Sequence, residues 1–194
     1  MANPAARPAG ANAFTIEGLA IISADGMIAD HTGTQPDALK IEADQTFFRD
    51  RLRAADVLVH GRNSGEGGDP PGRRRRIILT RRIAGVARHP EHQKVALWNP
   101  AGATLSEACA TIGLYEGRAA VIGGTDVFGL FLEWGYDLFH LSRAARARLP
   151  GGRPVFPGVP ARSPEDLLSA HGLKSGETRL LDPSADLTLV TWRA

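Results

Sequence analysis

Apolar and polar positions along this chain predict short strands that alternate with amphipathic helices. The run at 14–23 (FTIEGLAIIS) is apolar and β-branched and ends at an Asp-Gly turn signal, so it is predicted to be a buried strand. The same criteria predict strands at 56–60, 76–80, 95–98, 119–122, 137–142, 178–181 and 187–192. The last two are close enough in sequence to form a hairpin around residues 182–184.

The helices are predicted from apolar residues that recur at three- and four-residue steps. The first such series, with charged residues between its members, is Ile41, Phe47, Phe48, Leu52 and Ala55. Further helices are predicted at 104–114, 127–134 and 164–170. Thr104 and Glu107 have the spacing of a capping box, which would begin the first of these. Alternating strands and helices indicate an α/β fold whose central sheet is mainly parallel, with helices on both faces and an antiparallel C-terminal edge.

Length and composition bound the organisation of the chain. It has 194 residues and is 43% apolar, which is enough for one domain with a sizeable core. We therefore expect a single domain over residues 14–194, preceded by a disordered tail over residues 1–13 that is rich in Pro and Ala. Residues 30–37 and 65–72 are rich in Gly, Pro and polar side chains, which predicts loops.

The charge balance and the single cysteine argue against several classes of function. Lys and Arg number 23 against 21 Asp and Glu, and aromatics are 6%, so a nucleic-acid-binding surface is not expected. No apolar run approaches the roughly 20 residues of a membrane span. Cys109 alone cannot form an internal disulfide or a multi-thiolate zinc site. We expect no metal, no membrane association and a cytoplasmic location.

Three predicted strand ends carry residues that suit an anionic ligand: 61–64 (GRNS), 80–82 (TRR) and 123–125 (GGT). In parallel sheets, ligands bind at the carboxyl ends of strands, where helix N-termini attract phosphate groups. Taken singly, each has a simpler explanation, since the glycine pair fits a tight packing turn and the arginine run 73–76 fits a solvated surface. Neither a G-x-G-x-x-G nor a Walker pattern is present, so the order of the pieces carries more weight than any one of them.

From residue 14 to residue 157 the order of these pieces resembles the dihydrofolate reductase superfamily. The landmarks are an acidic residue before two aromatics (Asp44, Phe47, Phe48), a Gly-Arg-x-hydroxyl strand end (61–64), a Pro-Gly-basic loop before an apolar strand (71–81), the glycine pair and a late Phe-Pro (156–157). The resemblance implies a dihydrofolate reductase-like α/β fold and an NADPH-dependent reductase of a pteridine-like or pyrimidine heterocycle.

The resemblance also implies which residues bind NADPH. Gly123 and Gly124 would form a cis joint that lets the cofactor lie against the backbone, and Thr125 would begin the helix that receives the pyrophosphate. Arg62 and Arg81 would favour the 2′-phosphate of NADPH over NADH. The full set implied for the cofactor is Gly61, Arg62, Ser64, Thr80, Arg81, Gly123, Gly124, Thr125, Asp126 and Val127.

Asp44 is the catalytic residue that the resemblance implies. At the floor of a cleft it would bind the amidine-like edge of a small heterocyclic substrate and supply a proton, with a pKa raised by burial. The residues implied for the substrate are Leu19, Ile28, Phe48, Arg73, Ile122 and Ser142. From the sequence alone, Asp44 could equally be a solvated helix residue, Arg73 part of a solvated run and Ser142 an ordinary strand hydroxyl.

Some positions depart from the folate enzymes and leave other functions open. Residues 30–42 contain no tryptophan, and Phe128 stands where those enzymes usually have tyrosine. Residues 23–29 (SADGMIA) and 52–59 (LRAADVLV) resemble instead the riboflavin-pathway pyrimidine reductases, which commonly dimerise, so we expect a homodimer. The alternatives are a 5-amino-6-(5-phosphoribosylamino)uracil reductase and a non-catalytic nucleotide-binding paralogue. One cysteine is too few for the zinc deaminase domain of the bifunctional relatives.

Overall fold

Strands and helices alternate along the computed structural model, which describes residues 13–64 and 72–194. The strands in these residues are β1 (Phe14–Ser23), β2 (Met27–Ala29), β3 (Val57–Gly61), β4 (Arg76–Leu79), β5 (Val86–Arg88), β6 (Val95–Trp98), β7 (Gly117–Gly123), β8 (Leu138–Ala144), β9 (Arg153–Pro154), β10 (Lys174–Asp182) and β11 (Leu187–Arg193). The helices are α1 (Glu42–Ala54), α2 (Leu105–Thr111), α3 (Thr125–Trp134) and α4 (Pro164–Ala170), with a short 3-10 helix at Asp37–Leu39.

Every helix and strand predicted from the sequence is present, with ends that differ by a few residues. The short strands β2, β5 and β9 were not predicted, because two or three residues are too few for an alternating pattern to show. The predicted tail, apart from Ala13, and residues 65–71 of the predicted loop lie outside the described residues.

Within the described residues, the main sheet has nine strands in the order β10-β11-β8-β1-β7-β3-β4-β6-β5. The six strands from β8 to β6 in this order run parallel to one another. The C-terminal hairpin of β10 and β11 joins β8 in antiparallel register, which confirms the predicted antiparallel edge. A second antiparallel edge, formed by β5 on β6, was not predicted.

The two faces of the sheet bury different sets of side chains, as the alternation along each strand requires. On β3, Val57 and Val59 join the larger core, which also contains residues of α2, α3 and α4. Leu58, between them, points to the other face and packs in a smaller cluster with Leu52 of α1. Helices therefore cover both faces, with α1 on the opposite side from the other three.

Local signals explain where two of the helices begin. The capping box predicted for α2 is confirmed, since the Glu107 amide donates to Thr104 Oγ1 at 3.2 Å and the Thr104 amide donates to Glu107 Oε2 at 2.6 Å. Helix α1 has no side-chain cap, but acidic residues in its first turn and basic residues in its last complement the helix dipole. One of those first-turn acids is Asp44.

The sheet opens between two neighbouring strands near its centre. Strand β1 pairs with β7 only as far as Gly18 and Val121, whereas it continues beside β8 to Ser23. On the other side of β7 the register with β3 shifts at Ile122, which has no partner there. The carboxyl ends of β1 and β7 are therefore free to diverge, and a cleft forms where they part.

Candidate functional site

A cleft of about 1760 Å³ lies at the carboxyl ends of the parallel strands, bordered by α1 and by the start of α3. Every site residue predicted from the sequence lines this cleft: Leu19, Ile28, Asp44, Phe48, Gly61, Arg62, Ser64, Arg73, Thr80, Arg81, Ile122, Gly123, Gly124, Thr125, Asp126, Val127 and Ser142. The structure thus brings them together from separate parts of the chain, while the role of each one remains a prediction.

The glycine pair forms the joint between β7 and α3. The peptide bond from Gly123 to Gly124 is cis, and Gly123 has φ +120°, a conformation that residues with a side chain rarely adopt. A Cβ on Gly123 would also lie 3.2 Å from Cε2 of Phe128. A Cβ on Gly124 would meet only the Ser64 hydroxyl, at 3.3 Å, so the space beside this glycine is otherwise empty of protein among the described residues.

The N-terminus of α3 faces the same cleft. Its N-cap, Gly124, offers no side-chain cap, and the amides of Val127 and Phe128 already donate to the Gly124 carbonyl. The amides of Thr125 and Asp126 have no such bond to a described residue, so they can donate to a ligand. The Thr125 hydroxyl donates to the Pro154 carbonyl, so it does not donate to a ligand. An anion would therefore be bound by the backbone amides and the helix dipole.

Asp44 is buried on the side of α1 that faces the sheet, and only 7% of it is exposed. Burial raises the pKa of its carboxyl above the ordinary value, and a hydrogen bond from the Ser142 side chain partly offsets this by lowering it. Ser142 is itself buried on β8. The Asp44 side chain is therefore buried at the cleft, and its role as the acid stays a prediction.

The polar residues around β3 and β4 differ in how far they are exposed. Thr80 is buried and its hydroxyl accepts from the Arg82 amide at 3.2 Å. Arg62 is exposed, and so is Arg81, whose Nη2 lies 3.8 Å from Asp126 Oδ2 with both side chains at least 84% exposed. Such a pair contributes little in water. The two arginines are free to rearrange toward an anionic ligand.

An apolar slot lies between α1 and the strands below it. Leu19, Leu52, Leu58 and Ala120 form a small buried cluster against which Phe48 and Ile122 pack. Leu19, Phe48, Leu52 and Ile122 also line the cleft that holds Asp44, so they form an apolar wall in the same cleft as a buried acid. A flat ring with a polar edge fits this combination, since the wall would contact its faces and the carboxyl its edge.

Solved structures of known proteins have the same architecture. A protein from Shewanella sp. PV-4, described as a riboflavin biosynthesis protein, matches with a TM-score of 0.63 at 21% identity over 92% of this chain and 98% of its own. Dihydrofolate reductase from Enterococcus faecalis, solved with NADP(H) and RAB-propyl, matches with a TM-score of 0.59 at 19% identity over 92% and 95%. The chain has the dihydrofolate reductase fold. The predicted fold class is confirmed.

A third structure with the dihydrofolate reductase fold is longer than this chain. It is the diaminohydroxyphosphoribosylaminopyrimidine deaminase/5-amino-6-(5-phosphoribosylamino)uracil reductase of Thermotoga maritima, with a TM-score of 0.58 at 19% identity. The match covers 92% of this chain and 56% of that one. No protein-family model and no curated protein sequence matches the chain. At these identities the solved structures establish the fold, and the activity has to be argued from the site.

Several residues that the dihydrofolate reductase fold brings to this cleft were missed by sequence reasoning. His140 lines the cleft two residues before Ser142, and alternation along β8 would have placed both on one face. The cleft also has basic side chains beyond those predicted: Lys40, Arg49, Arg53, Arg74, Arg82 and Arg153. Most of them lie on helices or loops, where no strand alternation indicates which way a side chain points.

Two further findings concern the described residues as a whole. No three His, Cys, Asp or Glu side chains within 13–64 and 72–194 come together in a way that could hold a metal ion. None of the helices in this part of the chain is both long and apolar enough to cross a bilayer.

Proposed function

We propose that this protein is an NADPH-dependent reductase of a pteridine-like or pyrimidine heterocycle. The observation that carries the proposal is the presence, in one cleft, of a buried carboxyl on α1 and of a side-chain-free joint at the start of α3. The first suits protonation of a ring nitrogen and the second suits close approach of a dinucleotide. The dihydrofolate reductase fold, found in solved reductases, supports the same conclusion.

The residues present fit the cofactor. The space beside Gly124 is a cradle that a larger side chain would enter, and two backbone amides at the start of α3 can donate to a pyrophosphate. Arg62 and Arg81 stand at the same side of the cleft with side chains free to pair with a 2′-phosphate. When bound there, NADPH would supply a hydride to the substrate ring.

Asp44 has the properties that proton delivery requires. Because burial raises its pKa, its carboxyl holds a proton at higher pH than an exposed aspartate does. The Ser142 side chain acts in the opposite direction and lowers the pKa of Asp44, and the apolar wall of the cleft excludes water from a bound ring. A heterocycle with adjacent ring nitrogen and exocyclic amine would accept the proton at the nitrogen and donate to the second carboxyl oxygen.

The experiment that tests this function is a substrate panel. Purified protein is given NADPH with dihydrofolate, with a dihydropterin and with the phosphoribosylamino-uracil of the riboflavin pathway, and loss of the absorbance of reduced nicotinamide is followed. We expect NADPH-dependent turnover of at least one heterocycle. Absence of turnover with all of them, in protein that binds NADPH, would contradict the proposed function.

A riboflavin-pathway uracil reductase is the second candidate. The cleft residues that favour it are four arginines, Arg49, Arg53, Arg73 and Arg74, which could pair with a substrate phosphate. Of the solved structures described above, one is a riboflavin biosynthesis protein by description and another includes a 5-amino-6-(5-phosphoribosylamino)uracil reductase. Turnover of the ribosylated pyrimidine alone would favour this candidate and discard the folate one.

A further inference from the structure

A group of charged side chains around a buried glutamate lies at the edge of the cleft, which it reaches through His140. Its centre is Glu17 on β1, which is 0% exposed. Glu17 Oε1 accepts from Arg51 Nε at 2.6 Å and lies 2.7 Å from His140 Nε2. Glu17 Oε2 lies 3.6 Å from Arg118 Nε on β7. We call Glu17, His140 and Arg51 the Glu17 cluster.

Both ring nitrogens of His140 are engaged by protein. An ionised carboxylate can only accept, so His140 Nε2 must carry a hydrogen and donate to Glu17. His140 Nδ1 lies 2.9 Å from the hydroxyl of Thr191, its cross-strand neighbour on β11. Neutral His140 accepts from that hydroxyl, and protonated His140 donates to it, so the ring stays fixed in either state. Although His140 lines the cleft, it has no nitrogen left for a substrate.

The charge on Glu17 is balanced within the cluster. Burial acts to raise the pKa of Glu17, but the hydrogen bonds and charges of His140 and Arg51 outweigh it and hold the pKa below the ordinary value. Packing alone does not call for such a group, because apolar side chains of similar volume stabilise a buried position as well as an ion pair or better. The cluster therefore points to a requirement other than stability.

The geometry of α1 links this cluster to Asp44. Arg51 follows Asp44 by seven residues on the same helix, which is within about 20° of two full turns, so both face the sheet. On β8, His140 and Ser142 share one face because they are two residues apart. Asp44 lies at the cleft with Ser142, and two turns later Arg51 donates to the carboxylate that also holds His140. Between Asp44 and Arg51 along α1, the Phe47 ring meets the His140 ring edge-on at 5.2 Å.

We propose that the Glu17 cluster is a positioning device that holds α1 against β8, so that the Asp44 carboxyl stays buried on Ser142. The inference rests on the proposed function only in treating Asp44 as the acid. Without the cluster, α1 is held on this face by the apolar packing of Leu52 and Phe48, and the helix can move away from the sheet far enough to admit water beside Asp44. Misplacement of a reacting group by about 1 Å can lower a rate by about 100-fold.

The test is a carboxyl-carbon NMR titration of aspartate-labelled protein, with the Asp44 signal assigned by its loss in Asp44→Asn. His140→Leu, which removes the tie to Glu17, is expected to lower the titration midpoint of Asp44 and to reduce kcat by about 10- to 100-fold, with the KM for NADPH unchanged. His140→Gln, which can still donate to Glu17, is expected to restore most of the wild-type Asp44 midpoint and kcat. Glu17→Gln, which keeps the size and removes the charge, shifts the midpoint in the same direction as His140→Leu.

The matched control is His171→Leu. His171 Nε2 lies 3.3 Å from Glu133 Oε1, so this variant also removes a histidine–glutamate contact, but neither residue lines the cleft. It is expected to leave the Asp44 midpoint unchanged. Equal midpoints in wild type, His140→Leu and Glu17→Gln would overturn the proposal, and so would an equal shift in His171→Leu.

This titration separates the two claims about the site, since it needs no turnover. An inactive wild-type protein whose Asp44 midpoint still responds to His140→Leu would contradict the proposed function and support the positioning role. An active protein whose midpoint does not respond would contradict the positioning role alone.

Discussion

Replacing Asp44 with Asn is the sharpest mutational test of the proposed chemistry. Asn keeps the size of the side chain and an oxygen that can accept from Ser142, but it cannot deliver a proton. General acid catalysis by a positioned side chain contributes about 10²- to 10⁴-fold. At 1.36 kcal/mol for each tenfold change, Asp44→Asn should raise the barrier by about 3 to 5 kcal/mol. The affinity for NADPH should hardly change, because the residues proposed to bind the cofactor lie outside α1.

The same substitution should stabilise the fold at neutral pH. Because the folded-state pKa of Asp44 is raised above the ordinary 3.8, the folded protein holds a proton that the unfolded chain has already lost between these two pKa values. Wild-type stability therefore falls as pH rises through that window and stays lower above it. Asn does not titrate, so the stability of the variant relative to wild type increases as pH rises between the two pKa values of Asp44. Below both pKa values this difference in stability vanishes. Each kcal/mol gained would raise Tm by about 2–4 °C.

The assay measures turnover, NADPH affinity and Tm for wild type, Asp44→Asn and the control Asp50→Asn. Asp50 lies on the same helix, exposed, with its carboxylate 3.0 Å from Arg53. The control should keep wild-type turnover. Wild-type turnover in Asp44→Asn would refute the reasoning, and a lower Tm in that variant at neutral pH would refute the argument from burial.

Three further predictions concern the rest of the cleft. Gly123→Ala puts a side chain at φ +120° and should lower the free energy of unfolding by about 1–3 kcal/mol. It should also weaken NADPH binding. Thermal melts and a binding titration measure the two effects, and unchanged NADPH binding would contradict the prediction. The double variant Arg62→Ala and Arg81→Ala should weaken NADPH binding by about 5- to 30-fold, which corresponds to about 1–2 kcal/mol for exposed cations. The affinity for NADH should be nearly unaffected. An equal loss for both cofactors would disprove a 2′-phosphate contact. Ser142→Ala removes a bond that lowers the pKa of Asp44, so the alkaline fall in the pH–rate profile should move to higher pH, and a move to lower pH would count against it.

Local patterns in the sequence are enough to predict most of the fold. The apolar run of β1 and the capping box of α2 each act over a few residues, and both are found where they were predicted. The joint at Gly123 and Gly124 could be predicted because two adjacent glycines between a strand and a helix are themselves a local signal. Asp44 is assigned to the cleft only through the resemblance to the dihydrofolate reductase superfamily, because the pattern of α1 alone fits a solvated position equally well.

The parts that were not predicted depend on contacts between distant residues. Glu17 and His140 are separated by 123 positions and meet because β1 and β8 are neighbours in the sheet. Nothing local in either strand indicates that pairing, and a charged residue in an apolar run has several possible explanations. The strand β5 was not predicted for a related reason. Its three residues form a strand because they pair with β6, and their own sequence shows no strand pattern.

A crystal structure of the protein grown with saturating NADPH tests the central claim most directly. We predict that the pyrophosphate lies against the amides of Thr125 and Asp126, with the nicotinamide beside Gly123 and Gly124 on the side of the cleft that holds Asp44. A cleft that stays free of the cofactor at saturation, or a nicotinamide bound away from the glycine joint, would contradict it.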